Sequence, residues 1–248
     1  FYNRKTGFAG IGFFDSLNDQ AIANKLFDTA IDWLKENGYN RVEAPVNFGE
    51  RDKDWGLLVE GFNCPAYQEN YNFPYYQQLF ENYGFQLYYN QYTYQRPMGD
   101  HVNLAPRFYE KADDALNDPD YEFRYIRRKE LNRFPEYFRA VYNKAWAGHS
   151  GVKEMTKAQS VSIFKKMKPI VDERLLWFAF FKGEPVAFFI SIPEINQVFK
   201  KLNGNLDLIG KLKFVYYKWT KSCKKALGIV FGVVPEHQKK GVDGALVI

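Results

Sequence analysis

Apolar positions recur along the chain in several rhythms, and each rhythm predicts an element. Residues 8–15 (FAGIGFFD) form a short apolar run that suits a strand. Ala21, Ile22, Leu26, Phe27, Ala30, Ile31 and Leu34 then recur at helical spacing. Asn18 or Asp19 can cap that helix, and Gly38 ends it. Residues 42–46 read as a second strand, and 74–83 (PYYQQLFENY) as a helix stopped by Gly84. Residues 85–94 (FQLYYNQYTY) alternate in a way that predicts a third strand. Between them, residues 48–71 are long and irregular, with Trp55 to Phe62 as a local hairpin or packed loop.

The second half has a different rhythm. Residues 121–126 read as a strand. A helix over 131–146 has Leu131, Phe134, Phe138, Val141, Tyr142 and Ala145 on one side. Thr156 caps a further helix to about Met167. Residues 175–181 and 186–192, joined by Lys182-Gly183-Glu184-Pro185, make a hairpin. Residues 193–226 interrupt the pattern with a turn at 201–205. An apolar stretch with regularly placed lysines follows (Lys211, Lys213, Lys218, Lys221, Lys224, Lys225). It reads either as a strip for a membrane surface or nucleic acid, or as an insertion whose lysines form a solvated face.

The last stretch, 227–246 (LGIVFGVVPEHQKKGVDGAL), is a β-branched run, a proline, a polar segment and two glycines before Ala245-Leu246 restarts an apolar pattern. Pro235 ends strand pairing because it has no N–H. The expectation is a strand, a tight glycine loop and the first turn of a helix. Such a loop has a chemical use: amides at a helix start lack intrahelical partners and carry partial positive charge. Glycines let the backbone approach closely, so the whole can cradle phosphate, with Lys239 and Lys240 adding charge. The same residues also describe an ordinary strand-to-helix turn.

Residues 233–246 resemble the acyl-CoA signature of the GNAT acyltransferase superfamily, (Arg/Gln)-x-x-Gly-x-(Gly/Ala), set after a strand and before a helix. Gln238, Lys239, Lys240, Gly241 and Val242 match it. Asp243 stands where Gly or Ala is usual, with Gly244 one place later, and a carboxylate beside a pyrophosphate is unfavourable unless it points away. The element order over 120–248 is similar to the first half of a GNAT domain. That over 1–98 is similar to the second half, with Tyr75, Tyr76, Leu79, Tyr83, Gly84 and Phe85 like the family's late helix and the run after it. The resemblance therefore implies an α/β (α+β) fold of two GNAT-like units, mixed central sheets flanked by helices. The first lacks its start and the second stops at its CoA loop. The units would span 1–98 and 120–248, joined by a connector over 99–119, with an insertion at 193–226. In the first unit the corresponding loop, Asp15-Ser16-Leu17-Asn18-Asp19-Gln20, has no glycine and two carboxylates, so it looks degenerate for CoA.

By that resemblance the cofactor residues are Val233, Val234, Gln238, Lys239, Lys240, Gly241, Val242, Asp243 and Gly244. The co-substrate is acetyl-CoA or another acyl-CoA, and the acceptor is a small amine or peptide amine. Rate gain in such enzymes comes mainly from orientation and oxyanion stabilisation, and a tyrosine often protonates the leaving thiolate. Tyr76 and Tyr83 occupy the matching region of the first unit, but packing explains them as well. No catalytic residue is assigned.

Bulk numbers narrow the field further. At 248 residues the chain can bury a sizeable core, and 46% hydrophobic with 25% charged content is globular. Residues 1–100 carry 8 Lys/Arg against 13 Asp/Glu, while 101–248 carry the remaining 26 against 16. The basic second half suits an anionic ligand such as CoA, and also nucleic acid. Cys64 and Cys223 lack CxxC neighbours, and nothing resembles a signal peptide or a bilayer-spanning run. Free thiols and a cytoplasmic protein are the expectation, with one disulfide left open. His101, His149 and His237 are scattered without metal-ligand spacing, so no metal is expected. His149-Ser150 has no partner in sequence. Glu50, Asp52 and Asp54 form an acidic cluster that suits a cationic amine or a solvated turn. Two other function classes stay open: a non-catalytic GNAT-like interaction module, and a transferase of the aminoacyl-tRNA-dependent type.

Overall fold

A computed structural model describes the chain apart from residues 1, 4–7, 48–55, 68, 99–104 and 147–152. The acidic cluster at Glu50, Asp52 and Asp54, and His101, His149 and Ser150, lie outside the described residues. The fold is α+β, in two compact units, Phe1–Gln95 and Arg96–Ile248.

In the first unit, β1 (Tyr2–Asn3) pairs antiparallel with β2 (Phe8–Gly10), which pairs in parallel with β3 (Arg41–Glu43). The crossover between β2 and β3 is α1 (Gln20–Glu36). Its apolar spacing buries Ala23, Phe27 and Leu34. Phe27 stacks on Phe14, ring centroids 4.8 Å apart, and packs against Phe80 of α2 (Tyr76–Tyr83). Gly84 ends α2 at φ 113°, a left-handed cap that glycine adopts without a Cβ penalty.

The strand expected over 85–94 does not form. Leu87, Tyr88, Tyr89, Tyr92 and Tyr94 are exposed, and the tyrosines pair along the chain, Tyr88 with Tyr89 and Tyr92 with Tyr94. A strand needs a partner edge. The strands of this unit are two or three residues long and give this run no ladder to join. The strand expected over 8–15 is likewise cut to β2. Past it, Ile11 N–H to Glu43 O (3.0 Å) and Val46 N–H to Ile11 O (2.8 Å) extend the pairing.

The second unit is an antiparallel sheet of β4 (Tyr121–Tyr125), β5 (Leu176–Phe181), β6 (Glu184–Pro193) and β7 (Ala226–Val233), in that spatial order. The hairpin turn is Lys182-Gly183, both at positive φ, as a two-residue loop between twisted strands requires. Helices α4 (Phe134–Trp146) and α5 (Lys157–Met167) lie between β4 and β5 in sequence. Thr156 and Gln159 form a full capping box at the start of α5. On β5 and β6, alternate and intervening positions are both buried, so the sheet is covered on both faces there. Phe178 and Phe188 are cross-strand partners at its centre, and Phe134, Tyr137 and Phe138 of α4 pack their rings on this pair. Helix α3 (Pro106–Asn117), within the stretch expected as a connector, packs on α8 (Val242–Val247) through Ala112. Between β6 and β7 stands a helical hairpin, α6 (Asn196–Leu202) and α7 (Leu208–Trp219).

Because Phe178 is fully buried among aromatic rings, Phe178→Ala is expected to lower unfolding stability by about 3–5 kcal/mol in a urea titration. Tyr94→Ala, at an exposed ring, should stay within about 0.5 kcal/mol of wild type.

Candidate functional site

All the residues that the acyl-CoA signature matches fall in one structural unit, the end of β7 and the loop into α8. Among the described residues, β7 bonds one neighbour, β6, and leaves its other edge open. Val233 and Val234 are buried, and the Val234 N–H donates to Val186 O at 2.9 Å, the last tie of this strand to β6. Pro235 then opens a single 3-10 turn, Pro235–His237. The Gln238 carboxamide donates back to Val233 O at 3.0 Å. It closes the loop on itself, so its side chain shapes the turn.

Lys239 (φ 62°) and Gly241 (φ 77°) both sit in the left-handed region. For Gly241 the reason is also steric. A Cβ there would stand 1.6 Å from Lys111 O on α3, and one on Gly244 would stand 3.3 Å from Phe108 O. The two glycines seat α8 on α3, a packing role independent of any ligand. Lys239, Lys240 and Asp243 are exposed. The backbone amides from Lys239 to Gly244 donate to no acceptor among the described residues, and α8 has no side-chain cap. Chemically, the loop combines amides without a protein acceptor, two exposed ammonium groups and one exposed carboxylate.

The matching loop of the first unit is built differently. The Asp19 carboxylate accepts from Ala21 N (2.8 Å) and Ile22 N (3.2 Å) at the start of α1. The amides that an outside anion would use are already bonded. Downstream, the Tyr76 hydroxyl donates to Asp15 Oδ1 at 2.6 Å and that of Tyr83 to Asp28 Oδ1 at 2.7 Å. Burial, then those bonds to carboxylates, push both hydroxyls up to about 12. Both protons are held inside the unit. A cavity of about 420 Å³ lies beside Tyr76, walled by Phe14, Tyr71 and Phe73 with Asp15 and Glu69 at its lining.

One participant escapes sequence reasoning. His237, the residue before Gln238, is hydrogen-bonded through Nδ1 to the Tyr121 hydroxyl and packs its ring against Tyr121 and Phe181, centroids 5.5 and 4.8 Å away. Burial, then the nearby Lys240 ammonium, hold its pKa below the ordinary value. Burial and the Asp118 carboxylate raise that of Tyr121. The pair ties the loop to β4 and β5. The 116 positions between the two residues leave no local signal. Both cysteines are free thiols. Among the described residues no group of three or more His, Cys, Asp or Glu could hold a metal, and no helix is long and apolar enough to cross a membrane.

No protein-family model matches the chain. A Caulobacter vibrioides protein (strain NA1000 / CB15N) named bacterial ceramide synthase is 25% identical over 237 residues, covering 89% of this chain and 57% of its own length. Protein YghO of Escherichia coli (strain K12) is 24% identical over 240 residues, covering 96% of this chain and 60% of its own. The chain thus spans somewhat more than half the length of these curated relatives. Among solved structures, an agmatine N-acetyltransferase overlaps at 14% identity and TM-score 0.29. The Drosophila melanogaster polyamine N acetyltransferase overlaps at 15% and 0.30. Each overlap covers 52% of this chain and 67% of the other.

The His237–Tyr121 pair sets a pH dependence. The folded pKa of His237 lies below its ordinary 6.5, so the unfolded chain takes up the proton first as pH falls. The stability it contributes is complete above about 6.5 and declines as pH drops through the window beneath. Urea midpoints measured from about pH 7.5 to about pH 5.5 should fall less for His237→Gln than for wild type.

Proposed function

We propose that the chain belongs to an acyl-CoA-dependent N-acyltransferase of GNAT type. Its second unit would hold the acyl-CoA, and its first unit would be a GNAT-like copy no longer fit to hold one. The observation that carries this reading is the loop from Gln238 to Gly244. It follows an open-edged strand, leads into a helix, and has amides without a protein acceptor beside Lys239 and Lys240. That order resembles the acyl-CoA signature, from which Asp243 departs. The pyrophosphate would take the amides of Lys239 to Gly244 with Lys239 and Lys240 beside it, and the pantetheine arm would lie along the open edge of β7. Val233 and Val234 would support that edge from the core side, Gln238 would set the turn, and Asp243 would face away from the phosphates.

The reaction joins an amine nitrogen to the thioester carbonyl carbon as the carbon–sulfur bond breaks. The amine gives up a proton, and the thiolate takes one. Orientation of the two reactants supplies most of the rate in such a step. Ceramide is an amide of a long-chain amine, so the name of the Caulobacter relative agrees with acyl transfer to an amine. It makes long-chain amines the first acceptors to test. Tyr76 and Tyr83 are left out of the chemistry, since carboxylates of the first unit hold their protons.

Calorimetric titration with acetyl-CoA and with palmitoyl-CoA tests the reading. Gly241 is a poor probe, because any Cβ there collides with Lys111 O. Lys239→Glu combined with Lys240→Glu, at exposed positions, is expected to weaken binding at least about tenfold, or 1.4 kcal/mol. If wild type binds neither thioester, the acyl-CoA reading falls and a non-catalytic interaction module takes its place.

A further inference from the structure

The hairpin between β6 and β7 carries a second surface with its own chemistry. In α7 one face is committed inward. Gly210 is buried, so close to Asn205 O that a Cβ would stand 2.1 Å from it. The Phe214 ring meets Phe199 of α6 at 6.0 Å, and Lys201 of α6 lies over the Tyr217 ring at 4.8 Å. Asp207 caps the helix, accepting from Gly210 N at 2.7 Å. The helix is therefore formed and anchored before it meets anything else.

Its opposite face is apolar and exposed. Leu208, Ile209, Leu212, Val215, Tyr216 and Trp219 recur at the three- and four-residue spacing that puts them in one stripe, and Leu208 and Trp219 are 74% and 79% exposed. At about 100° per residue, Lys211 and Lys218 fall along one border of that stripe and Lys213 along the other. Residues 196–225 hold eight lysines and one aspartate. Lys211, Lys213 and Lys224 form no ion pair with a carboxylate among the described residues.

We infer that α7 docks the protein on an anionic lipid surface, with its apolar stripe sunk to the acyl boundary and Lys211 and Lys213 at the level of the head groups, while Lys218 donates to Pro169 O of the protein body. The pattern discriminates between occupants. A second copy would press lysine borders against lysine borders. Nucleic acid would satisfy the lysines but leave four aliphatic side chains facing phosphate and water. An anionic bilayer satisfies both sets at once: long lysine stems lie along apolar surface with their ammonium groups in the head-group layer. Tyr216 and Trp219, at the C-terminal end of the stripe, are the residue types that settle at that boundary. The inference stands on α7 alone and holds whether or not the Gln238–Gly244 loop binds a thioester.

Sedimentation of the full chain with vesicles of phosphatidylcholine, alone or mixed with phosphatidylglycerol, tests it. Partitioning is expected to rise at least about tenfold with phosphatidylglycerol and to fall as salt is added. Ile209→Glu with Leu212→Glu should remove it, and Lys211→Glu with Lys213→Glu should remove the preference for anionic vesicles. Bound wild type should show a blue-shifted tryptophan emission that Trp219→Phe lacks. That readout needs no glutamate variant, should one fail to fold. No partitioning to anionic vesicles overturns the inference. So does unchanged partitioning of Ile209→Glu with Leu212→Glu, which would mean adsorption by charge alone. A wild-type dimer in solution that Leu212→Glu turns into a monomer would assign the stripe to a second copy instead.

Discussion

The seat of α8 on α3 is the contact on which the geometry of the C-terminal loop depends. At Gly241 the two backbones approach so closely that a carbonyl of α3 occupies the space of a side chain. Only glycine satisfies both the left-handed φ and that approach. Once the seat is made, the path from β7 to α8 has little freedom. Pro235 ends pairing, Gln238 folds back on the strand, and His237 is pulled under Tyr121 and Phe181. Gly241 and Gly244 thus have a packing role of their own, and the loop is shaped by that packing.

The sheet beneath gives that seat its rigidity. Phe178 and Phe188 face each other across β5 and β6, and α4 closes over them with rings of its own. Rings in edge and tilted contact resist sliding, which holds β6 and, through it, β7 in register. The second unit has one continuous core running from α4 to α8. Among its described residues the first unit has two smaller ones, an aromatic cluster around Phe27 and a patch under the sheet around Leu34.

What could be read from the sequence follows from the range of the interactions involved. Helix α1, the capping box of α5, the Lys182-Gly183 hairpin and the Gly84 stop are local, and each left its own residues as a signal. Residues 85–94 and β5 are both rich in aromatic residues, yet only β5 is a strand, because pairing is decided by an edge elsewhere in the fold. The stretch 208–225 announced both its apolar and its lysine content. Which face would be buried depended on α6, and hence on Phe199 and Lys201. His237 gives no local signal because its partner, Tyr121, lies far away in sequence on β4.

Asp19 has a wider meaning. It ties an anion permanently to the start of α1, at a fixed distance and with no diffusion cost. A helix start that waits for a solute gains stability only in proportion to the logarithm of that solute's concentration. One that carries its own carboxylate is indifferent to the supply. The start of α1 is therefore capped independently of any solute.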